Sequence, residues 1–311
     1  IMLTGGISVP SFVTNNISDN EFIFKNSKPK IVIVEDDKIY KQNNVFLKKF
    51  NPKRIICINE SFKFTSYKDI KFQTFKKKNL PKLNSRDIST IIYTSGTSGS
   101  PKGVVLNHRA LMHNLSASLK ILSDFKITNE RFLSFLPLSH SYERMAGLYF
   151  PLLIGGEIYF CTSLEKLLSE IKEVQPTIFS AVPRLYENIY KKIKGQVKSS
   201  SKIQSLVMKK IFDGLEKKNS YLNNSLSKFL INFFLKNKIK GIFGGKVKAL
   251  ISGGAALSPK IGFFFNKVGL ELLQGYGQTE AAPLISCNLR YHNDASTVGF
   301  PVKNIKVKIS R

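Results

Sequence analysis

The sequence predicts an α/β protein in which buried strands of a parallel sheet alternate with helices. The first observation is a recurring short apolar run, which is typical of a strand buried on both faces. Such runs occupy residues 31–34, 54–58, 90–94, 104–106, 132–135, 157–160, 177–180 and 247–251. The second observation is the helical spacing of apolar residues between several of these runs, at residues 107–122, 163–174 and 183–193.

Residues that cap or end helices support the predicted helix boundaries. We expect Ser163 to cap the helix over residues 163–174 and Pro176 to end it, and Pro183 suits the first turn of the next helix. Residues 61–82 contain seven lysines without clear periodicity, so an exposed connection is expected there.

Both ends of the chain predict a fragment of a longer protein. Residues 1–6 resemble the end of a helix that runs into a glycine turn. Residues 305–309 alternate apolar and polar side chains as a strand does, and the chain stops two residues later. Because a natural domain seldom ends inside a strand whose partners are absent, both ends are expected to be cut.

The composition is that of a folded protein of 311 residues, a length that suggests about two domains or subdomains. Apolar residues make up 42% and aromatic residues 11%, which excludes a disordered chain. Three scattered cysteines exclude a disulfide scaffold and show no zinc spacing. A reducing, cytoplasmic location is therefore predicted, and no apolar run approaches the roughly 20 residues that span a bilayer.

The net charge of +27 arises from 48 Lys and Arg residues against 21 Asp and Glu residues. Residues 184–248 hold 16 basic and 3 acidic residues, and so about half of the excess. Nucleic-acid binding is not expected, because no zinc finger, RNA-recognition signature or basic zipper accompanies the lysines. Solvated faces explain most of the charge, and a peripheral contact with an anionic membrane stays open.

The basic stretch over residues 195–240 is expected to be helical. Its helically spaced apolar residues are Ile203, Leu206, Val207, Ile211 and Leu215. Residues 229–235 are more apolar still. Helices packed on the sheet are the favoured interpretation, and an amphipathic surface that touches lipid or holds an apolar ligand is the alternative.

The strongest functional signal is the string Tyr-Thr-Ser-Gly-Thr-Ser-Gly-Ser-Pro-Lys-Gly at residues 93–103, directly after a predicted strand. Glycines let backbone N–H groups turn inward, hydroxyls add donors and Lys102 adds positive charge, as polyphosphate binding requires. The order differs from the P-loop, because Pro101 precedes Lys102, Gly103 follows it and residues 104–106 continue as a strand. The composition alone would also suit a flexible surface turn.

Two further strings follow in the chain. Residues 251–259 are Ile-Ser-Gly-Gly-Ala-Ala-Leu-Ser-Pro, and residues 274–280 are Gln-Gly-Tyr-Gly-Gln-Thr-Glu. With residues 93–103 they resemble, in order, the motifs of the AMP-forming acyl-adenylating superfamily, which includes acyl-CoA synthetases, luciferases and the adenylation domains of peptide synthetases. The resemblance extends over nearly the whole chain.

The resemblance implies two doubly wound α/β lobes of the acyl-adenylate-forming large domain, with the start of a β-rich subdomain at the C-terminus. The implied first lobe covers residues 1–175 and the second covers residues 176–290. The β-rich subdomain would begin over residues 291–311, with residues 297–302 as the turn into it. A nucleotide would then lie in the crevice at the C-terminal ends of the strands.

A fourth segment narrows the resemblance. Residues 136–147 are Leu-Pro-Leu-Ser-His-Ser-Tyr-Glu-Arg-Met-Ala-Gly, similar to the long-chain acyl-CoA synthetase form, and residues 179–187 agree. The resemblance implies a long-chain fatty acid–CoA ligase that uses ATP and Mg²⁺, with the fatty acid and coenzyme A as co-substrates. Taken as residues alone, Glu143 and Arg144 are expected to form a structural ion pair.

The implied reaction joins a carboxylate to the α-phosphorus of ATP and expels pyrophosphate, so the site must cancel charge. By resemblance, one set of donors surrounds the β- and γ-phosphates and would stabilise the leaving pyrophosphate. This set is Thr94, Ser95, Gly96, Thr97, Ser98, Gly99 and Lys102. The resemblance implies Thr279 as a hydroxyl donor to the α-phosphate and Glu280 as the Mg²⁺ ligand, a role that suits a hard carboxylate oxygen.

The resemblance also implies the adenine side of the site. Tyr276 is expected beside the purine, between Gly275 and Gly277 of the same motif. Small residues that would let a flat purine approach the backbone are Gly253, Gly254 and Ala255.

The implied catalytic residues are Lys102, Thr279, Glu280 and His140. His140 is expected near the carboxylate or the acyl entrance, and a loop histidine with satisfied hydrogen bonds is the alternative. His108 is expected to be structural, near a helix start.

Two parts of the superfamily machinery are missing from the sequence. The superfamily carries a Thr-Gly-Asp strand that binds the ribose hydroxyls, whereas the acid that follows Glu280 here, Asp294, has no Thr-Gly before it. The C-terminal lid domain and its Lys are also absent. The 311 residues alone are therefore expected to bind nucleotide weakly and to catalyse little.

Two alternatives to the long-chain ligase stay open. One is an adenylate-forming ligase for an aryl, amino or medium-chain acid, against which residues 136–147 argue. The other is a basic membrane- or nucleic-acid-binding protein with a vestigial nucleotide site. The sequence indicates no oligomeric state.

Overall fold

The computed structural model describes residues 1–61, 63–70, 80–95, 101–198, 211–218 and 235–310. The chain forms two compact units, Ile1–His108 and Arg109–Arg311. Strands and helices alternate in the chain, so the predicted α/β class is confirmed. The lobe boundaries at residues 175 and 290 stay predictions.

The first unit contains a small parallel sheet. Its strands, in sheet order, are β1 (Val32–Val34), β2 (Ile55–Cys57) and β3 (Thr65–Ser66). The helices around it are α1 (Ile17–Ser27), α2 (Asp37–Gln42) and α3 (Asn44–Leu47). Asn16 and Asp36 cap α1 and α2, since each side chain accepts a hydrogen bond from a backbone N–H of the first turn. The buried core of this unit consists of Val34, Tyr40, Leu47, Ile55, Cys57 and Phe64.

The predicted exposed connection over residues 61–82 is wrong for part of its length. Residues 62 and 71–79 lie outside the described residues. Phe64 and Ser66 are only 7% and 2% exposed, because residues 65–66 pair with β2 and bring both side chains into the core.

A second strand pair of the first unit flanks the glycine-rich string. β4 (Ile88–Thr94) and β5 (Lys102–Asn107) are antiparallel, and Thr94 pairs with Lys102. The connection over residues 95–101 is too short for the crossover that parallel strands need, which explains the antiparallel pairing. The continuation of the string as a strand is confirmed.

The second unit contains a five-stranded sheet and a separate parallel pair. The strands of the larger sheet, in sheet order, are β12 (Phe300–Pro301), β11 (Leu284–Cys287), β10 (Leu272–Gly277), β9 (Ala249–Ser252) and β8 (Ile178–Ala181). β8, β9 and β10 are parallel to one another, while β11 and β12 are antiparallel to their neighbours. The parallel pair consists of β6 (Arg131–Ser134) and β7 (Glu157–Phe160).

The helices of this part of the chain begin with α4, whose first residue closes the first unit. The α-helices are α4 (His108–Leu122), α5 (Ser141–Glu143), α6 (Phe150–Ile154), α7 (Leu167–Val174), α8 (Pro183–Lys198), α9 (Asn237–Ile242) and α10 (Pro259–Lys267). A π-helical turn over Arg144–Tyr149 joins α5 to α6, and residues 211–215 are also helical. Single 3₁₀ turns lie at Met2–Thr4, Pro52–Arg54, Tyr67–Asp69, Ser123–Phe125, Leu164–Lys166 and Thr279–Ala281.

The core of the second unit packs helices on the parallel strands. Phe179 of β8 and Leu250 of β9 are fully buried among side chains of α7, α8, α9 and α10. Ile211 and Leu215 of the basic stretch belong to the same core, so for these residues helices packed on the sheet are confirmed. The rest of that prediction, over residues 199–210 and 219–234, lies outside the described residues.

Three local predictions are wrong. β7 is mostly exposed rather than buried on both faces, because β6 is the one described strand that pairs with it. Ser163 makes no capping hydrogen bond, since its hydroxyl serves the Glu165 carboxylate instead. Residues 305–309 form no strand, because no described strand lies beside them to complete the ladder.

Within the described part of the chain, no helix is both long and apolar enough to span a bilayer.

Candidate functional site

The C-terminal ends of the parallel strands meet at one edge of the large sheet. Ser252 pairs with Ala181 on one side and with Gln274 on the other, so β8 and β9 end in register and β10 continues beyond them to Gly277. The backbone N–H of Arg131 donates to Thr177 Oγ1 at 2.9 Å, which brings β6 beside β8. Loops that follow these strands therefore adjoin, as ligand sites of open parallel sheets require.

These loops carry most of the residues that the sequence singles out. The loops after β6, β9 and β10 carry His140, Gly253, Gly254, Ala255, Thr279 and Glu280, and the last three residues of β10 are Gly275, Tyr276 and Gly277. Thr94, Ser95 and Lys102 belong to the first unit, and Gly96, Thr97, Ser98 and Gly99 lie outside the described residues.

The turn after β9 requires glycine at two positions. A Cβ atom on Gly253 would lie 2.9 Å from the Tyr142 ring, so only glycine lets that ring pack against the turn. Gly254 has a φ of +83°, a left-handed conformation that other residues rarely adopt. Gly254 and Ala255 are exposed at the sheet edge, while Gly253 is buried.

Two tyrosines hold the end of β9. The hydroxyl groups of Tyr142 and Tyr186 both donate to the Ile251 carbonyl, at 3.3 and 2.9 Å. Burial raises the pKa of each phenol well above its usual value, so both remain neutral donors. The strand end that carries the Gly253 turn is therefore fixed from two sides.

The turn after β10 presents polar side chains at the same edge. Tyr276 is 49% exposed and Glu280 is also exposed, whereas Thr279 is 8% exposed. The pairing of β10 with β11 shifts register between Tyr276 and Gly277. A Cβ atom on Gly277 would overlap the Pro283 carbonyl oxygen, so glycine is needed where the two arms of the turn cross.

Ser141 meets Thr279 across the sheet edge. The two hydroxyl oxygens lie 3.0 Å apart, and Ser141 is only 5% exposed. The loop after β6 is thereby joined to the turn after β10 by a hydrogen bond. Ser141 was not among the sequence-predicted site residues, because a serine between His140 and Tyr142 carries no signal of its own.

Asn114 of α4 clamps the same turn and is a second residue that sequence reasoning missed. Its Nδ2 donates to the Ala281 carbonyl at 2.9 Å, and its Oδ1 accepts from the Leu284 N–H at 2.6 Å. The side chain is 2% exposed. An available signal was its place beside Leu111 and Leu115 on the apolar face of α4, where a polar residue needs buried partners.

Gln274 connects the two glycine-containing turns. Its Oε1 accepts from the Leu257 N–H at 2.6 Å, and its Nε2 donates to the Thr297 carbonyl at 2.9 Å. The side chain is buried. A single amide thus fixes the end of the turn after β9 relative to β10.

His140 is exposed and begins α5. Its Nδ1 accepts a hydrogen bond from the Tyr142 N–H at 3.1 Å, so the neutral imidazole carries its proton on Nε2. Desolvation lowers the pKa of His140, which favours the neutral form. The ring therefore caps α5.

The predicted ion pair between Glu143 and Arg144 is wrong, because the structure gives the two residues different partners. Glu143 Oε1 accepts from Ser134 Oγ at 2.6 Å and from the Phe135 N–H at 3.2 Å. Arg144 Nε donates to the Tyr149 hydroxyl at 2.7 Å. Adjacent residues on a helix point in different directions, which explains the separation.

The glycine-rich string of the first unit is anchored by its flanking strands. The Tyr93 hydroxyl donates to Asn26 Oδ1 at 2.5 Å, and Gly103 lets the Tyr93 ring approach, since a Cβ there would lie 3.2 Å from it. Ser95 and Lys102, at the two ends of the connection, are exposed. His108 starts α4 and its N–H donates to the Asp87 carbonyl, in agreement with a structural role.

No cluster of three or more His, Cys, Asp or Glu side chains that could hold a metal occurs in the described ranges. Glu280 is a single exposed carboxylate. One carboxylate fits Mg²⁺, which takes few protein ligands and completes its shell with phosphate oxygens and water.

The family profile described as AMP-binding enzyme matches residues 1–310. The chain belongs to the AMP-binding enzyme family. This membership confirms the predicted superfamily.

Individual proteins of the AMP-binding family agree. Long chain acyl-CoA synthetase 6, peroxisomal, of Arabidopsis thaliana is 35% identical over 72% of this chain and 31% of its own length. Probable acyl-activating enzyme 16, chloroplastic, of the same plant is 30% identical over 99% of this chain and 50% of its own. The chain therefore spans about a third to a half of these relatives.

Solved structures confirm the fold of the AMP-binding chain. A benzoate CoA ligase from Burkholderia xenovorans LB400 superposes with a TM-score of 0.66 at 20% identity. The match covers 96% of this chain and 50% of that one. The computed fold is thus that of the large domain of adenylate-forming enzymes.

Proposed function

We propose that this chain is the part of a long-chain fatty acid–CoA ligase that binds ATP and the acid and forms the acyl-adenylate. The observation that carries the proposal is the turn after β10. Ser141 holds the Thr279 hydroxyl and Asn114 clamps the backbone beyond it. The turn therefore presents Thr279 and Glu280 in a fixed arrangement at the sheet edge of an acid-activating fold.

The proposed reaction has two steps. A carboxylate oxygen of the acid attacks the α-phosphorus of ATP, and the bond to pyrophosphate breaks with its electron pair on the leaving oxygen. The thiol of coenzyme A then replaces AMP on the acyl carbon and gives up its proton. Both steps bring anions together or release them, so fixed donors are the main contribution that the protein can make.

In this proposal the turns after β9 and β10 contact the adenosine and the α-phosphate of ATP. Thr279 donates its hydroxyl to the α-phosphate, and Tyr276, exposed beside Gly275 and Gly277, lies against adenine. Gly254 and Ala255, exposed at the adjoining turn, leave room for the purine, whereas the Tyr142 ring occupies the space that the resemblance assigns to the purine at Gly253. By resemblance, His140 lies near the carboxylate of the acid or the acyl entrance.

The β- and γ-phosphate contacts are assigned, by resemblance alone, to the glycine-rich string at residues 93–103. Lys102 at the start of β5 adds charge, with Thr94, Ser95 and residues 96–99 as hydroxyl and backbone donors. A Mg²⁺ ion held by Glu280 and the phosphates would neutralise charge on the triphosphate when bound. Coenzyme A is the co-substrate of the second step.

The long-chain assignment rests on two supports. Residues 136–147 resemble the long-chain synthetase form, and a relative at 35% identity bears the name of a long-chain acyl-CoA synthetase. The competing candidate is activation of another carboxylic acid, which the similarity to an acyl-activating enzyme and to a benzoate CoA ligase structure keeps in view.

The test is made on the full-length protein with the variant Glu280→Gln. We expect fatty-acid-dependent exchange of pyrophosphate into ATP to fall at least about 100-fold, because the Mg²⁺ ligand loses its charge. Glu271→Gln is the matched control, since Glu271 precedes the same strand at its other end. Unchanged exchange in Glu280→Gln would refute the assigned role, and exchange that is equally low in both variants would point to a folding defect.

A further inference from the structure

Glu143 places a carboxyl group inside the second unit without a charged partner. The residue is 1% exposed. Its Oε1 accepts from Ser134 Oγ and from the Phe135 N–H, both at the C-terminal end of β6. Its Oε2 is buried and has no hydrogen-bond partner. Burial of a carboxyl group with an unpaired oxygen lowers the stability of the fold. The presence of Glu143 at this position is therefore not explained by stability.

Gly147, one helical turn after Glu143, leaves space for this carboxyl group. A Cβ atom on Gly147 would overlap Glu143 Oε1 and would lie 2.9 Å from Ser134 Oγ. Gly147 lies within the π-helical turn Arg144–Tyr149, and insertions of this kind are frequent at functional sites. The missing side chain of Gly147 therefore leaves the space in which the Glu143 carboxyl packs against β6.

The short helix α5 connects the Glu143 carboxyl to the candidate site. α5 consists of Ser141, Tyr142 and Glu143, so the carboxyl fixes one end of a single turn and the Ser141 hydroxyl projects from the other. Ser141 lies 3.0 Å from Thr279 Oγ1, and Tyr142 packs against Gly253. A shift of the Glu143 carboxyl therefore moves the two contacts that α5 makes with the strand edge.

The groups that face Glu143 are neutral. They are Ser134 with the backbone N–H groups of Phe135 and Leu136, and Tyr142 with Gly147 on its own segment. Burial raises the pKa of Glu143 to about 7, against the lowering effect of these hydrogen bonds. The ionised form accepts both β6 hydrogen bonds most strongly, because charged acceptors form the shorter and stronger bonds.

We propose that Glu143 is a positioning residue, whose carboxylate ties α5 to the end of β6 so that Ser141 holds the Thr279 hydroxyl in place. It acts through Ser141 and Thr279 rather than by contact with substrate. The inference deepens the proposed function and depends on it.

The test uses the full-length protein with Glu143→Gln, which keeps the shape and removes the charge. We expect kcat of pyrophosphate exchange to fall about tenfold or more, while KM for ATP changes less than about threefold, because misplacement of a catalytic group acts on rate. The wild-type protein should also lose activity as the pH falls through about 7, the pKa of Glu143, and the variant should not.

A second variant and a control keep the test decisive. Gly147→Ala should displace the carboxyl and lower kcat in the same way, whereas Gly195→Ala, an exposed helical position with nothing near the added methyl group, should not. In a Thr279→Val background, Glu143→Gln should lower kcat little further, because Glu143 acts on the reaction only through the Thr279 hydroxyl.

Three outcomes overturn the inference. One is a folded Glu143→Gln protein with the kcat and pH profile of the wild type, and another is additive loss in the Thr279→Val background. If Glu143→Gln fails to fold, a Gly147→Ala protein with normal kcat overturns it as well. Absence of acid-dependent exchange in the wild-type protein would instead refute the proposed function, so the two failures are distinguishable.

Discussion

Ser141 and Thr279 are 138 positions apart in the chain, and their hydroxyl oxygens lie 3.0 Å apart at the edge of the large sheet. The contact joins the loop after β6 to the turn after β10. It is one of the side-chain contacts that fix the turn after β10, and Asn114 makes others.

Removal of the Ser141 hydroxyl should slow adenylation. We expect Ser141→Ala to lower kcat about fivefold, because one hydrogen bond of about 1 kcal/mol no longer orients Thr279. Ser66→Ala is the matched control, since Ser66 is also buried but lies in the first unit. Both variants should lose similar stability in urea, so equal rates for the two would contradict the role of Ser141.

Truncation of Asn114 should affect both stability and rate. Asn114→Ala leaves the Ala281 carbonyl and the Leu284 N–H without their partner, so we expect a loss of about 2 kcal/mol in unfolding free energy. Adenylation should fall about tenfold as the turn loosens. Asn43→Ala, which removes a buried asparagine of the first unit, should lower stability alone. Normal adenylation by a folded Asn114→Ala protein would show that the clamp has no bearing on the site.

Two glycines of one motif should respond differently to alanine. At Gly277 the added Cβ would overlap the Pro283 carbonyl oxygen, a backbone atom that cannot move aside, so we expect a loss of at least about 2 kcal/mol. At Gly275 the nearest atom, the Ser286 carbonyl oxygen, lies 3.4 Å away, and the change should stay within about 1 kcal/mol. Equal urea midpoints for Gly275→Ala and Gly277→Ala would argue against the described crossing of the turn.

Glu143 should make the unfolding free energy depend on pH. Its pKa is about 7 in the folded protein against an ordinary value of 4.5, so between these values the folded protein keeps a proton that the unfolded chain has lost. Unfolding free energy therefore falls as the pH rises through this window, by ~3 kcal/mol at 1.36 kcal/mol per pKa unit. The stability of Glu143→Gln relative to wild type should rise by that amount from pH 4.5 to 7.5. A difference between the two proteins that does not change with pH would contradict the burial of the Glu143 carboxyl.

The sequence was sufficient for the elements that depend on local pattern. Strands at residues 55–57, 157–160 and 178–181 and the helix over residues 108–122 follow from apolar runs and helical spacing. Residues 305–309 show the limit of this reasoning, since alternation predicts a strand but a ladder also needs a neighbour to supply hydrogen bonds.

The site was predictable as motifs but not as an arrangement. Glycine strings after strands indicate where a ligand approaches the backbone, which is why Gly253 and Gly277 could be named in advance. Asn114 and Ser141 could not, because their importance comes from partners that are distant in the chain. The predicted Glu143–Arg144 ion pair failed for a similar reason. The Glu143 carboxyl accepts hydrogen bonds from the Ser134 hydroxyl and the Phe135 N–H, which are not adjacent to it in the chain, and not from Arg144.

The most direct test of the central claim is pyrophosphate exchange into ATP by the full-length protein with a panel of acids. The panel contains hexadecanoic acid, octanoic acid, benzoic acid and an amino acid, each with and without Mg²⁺. We expect Mg²⁺-dependent exchange with hexadecanoic acid at least about tenfold above every other acid. Exchange with benzoic acid or an amino acid but not with hexadecanoic acid would contradict the long-chain assignment, and exchange with none of them would contradict acid activation itself.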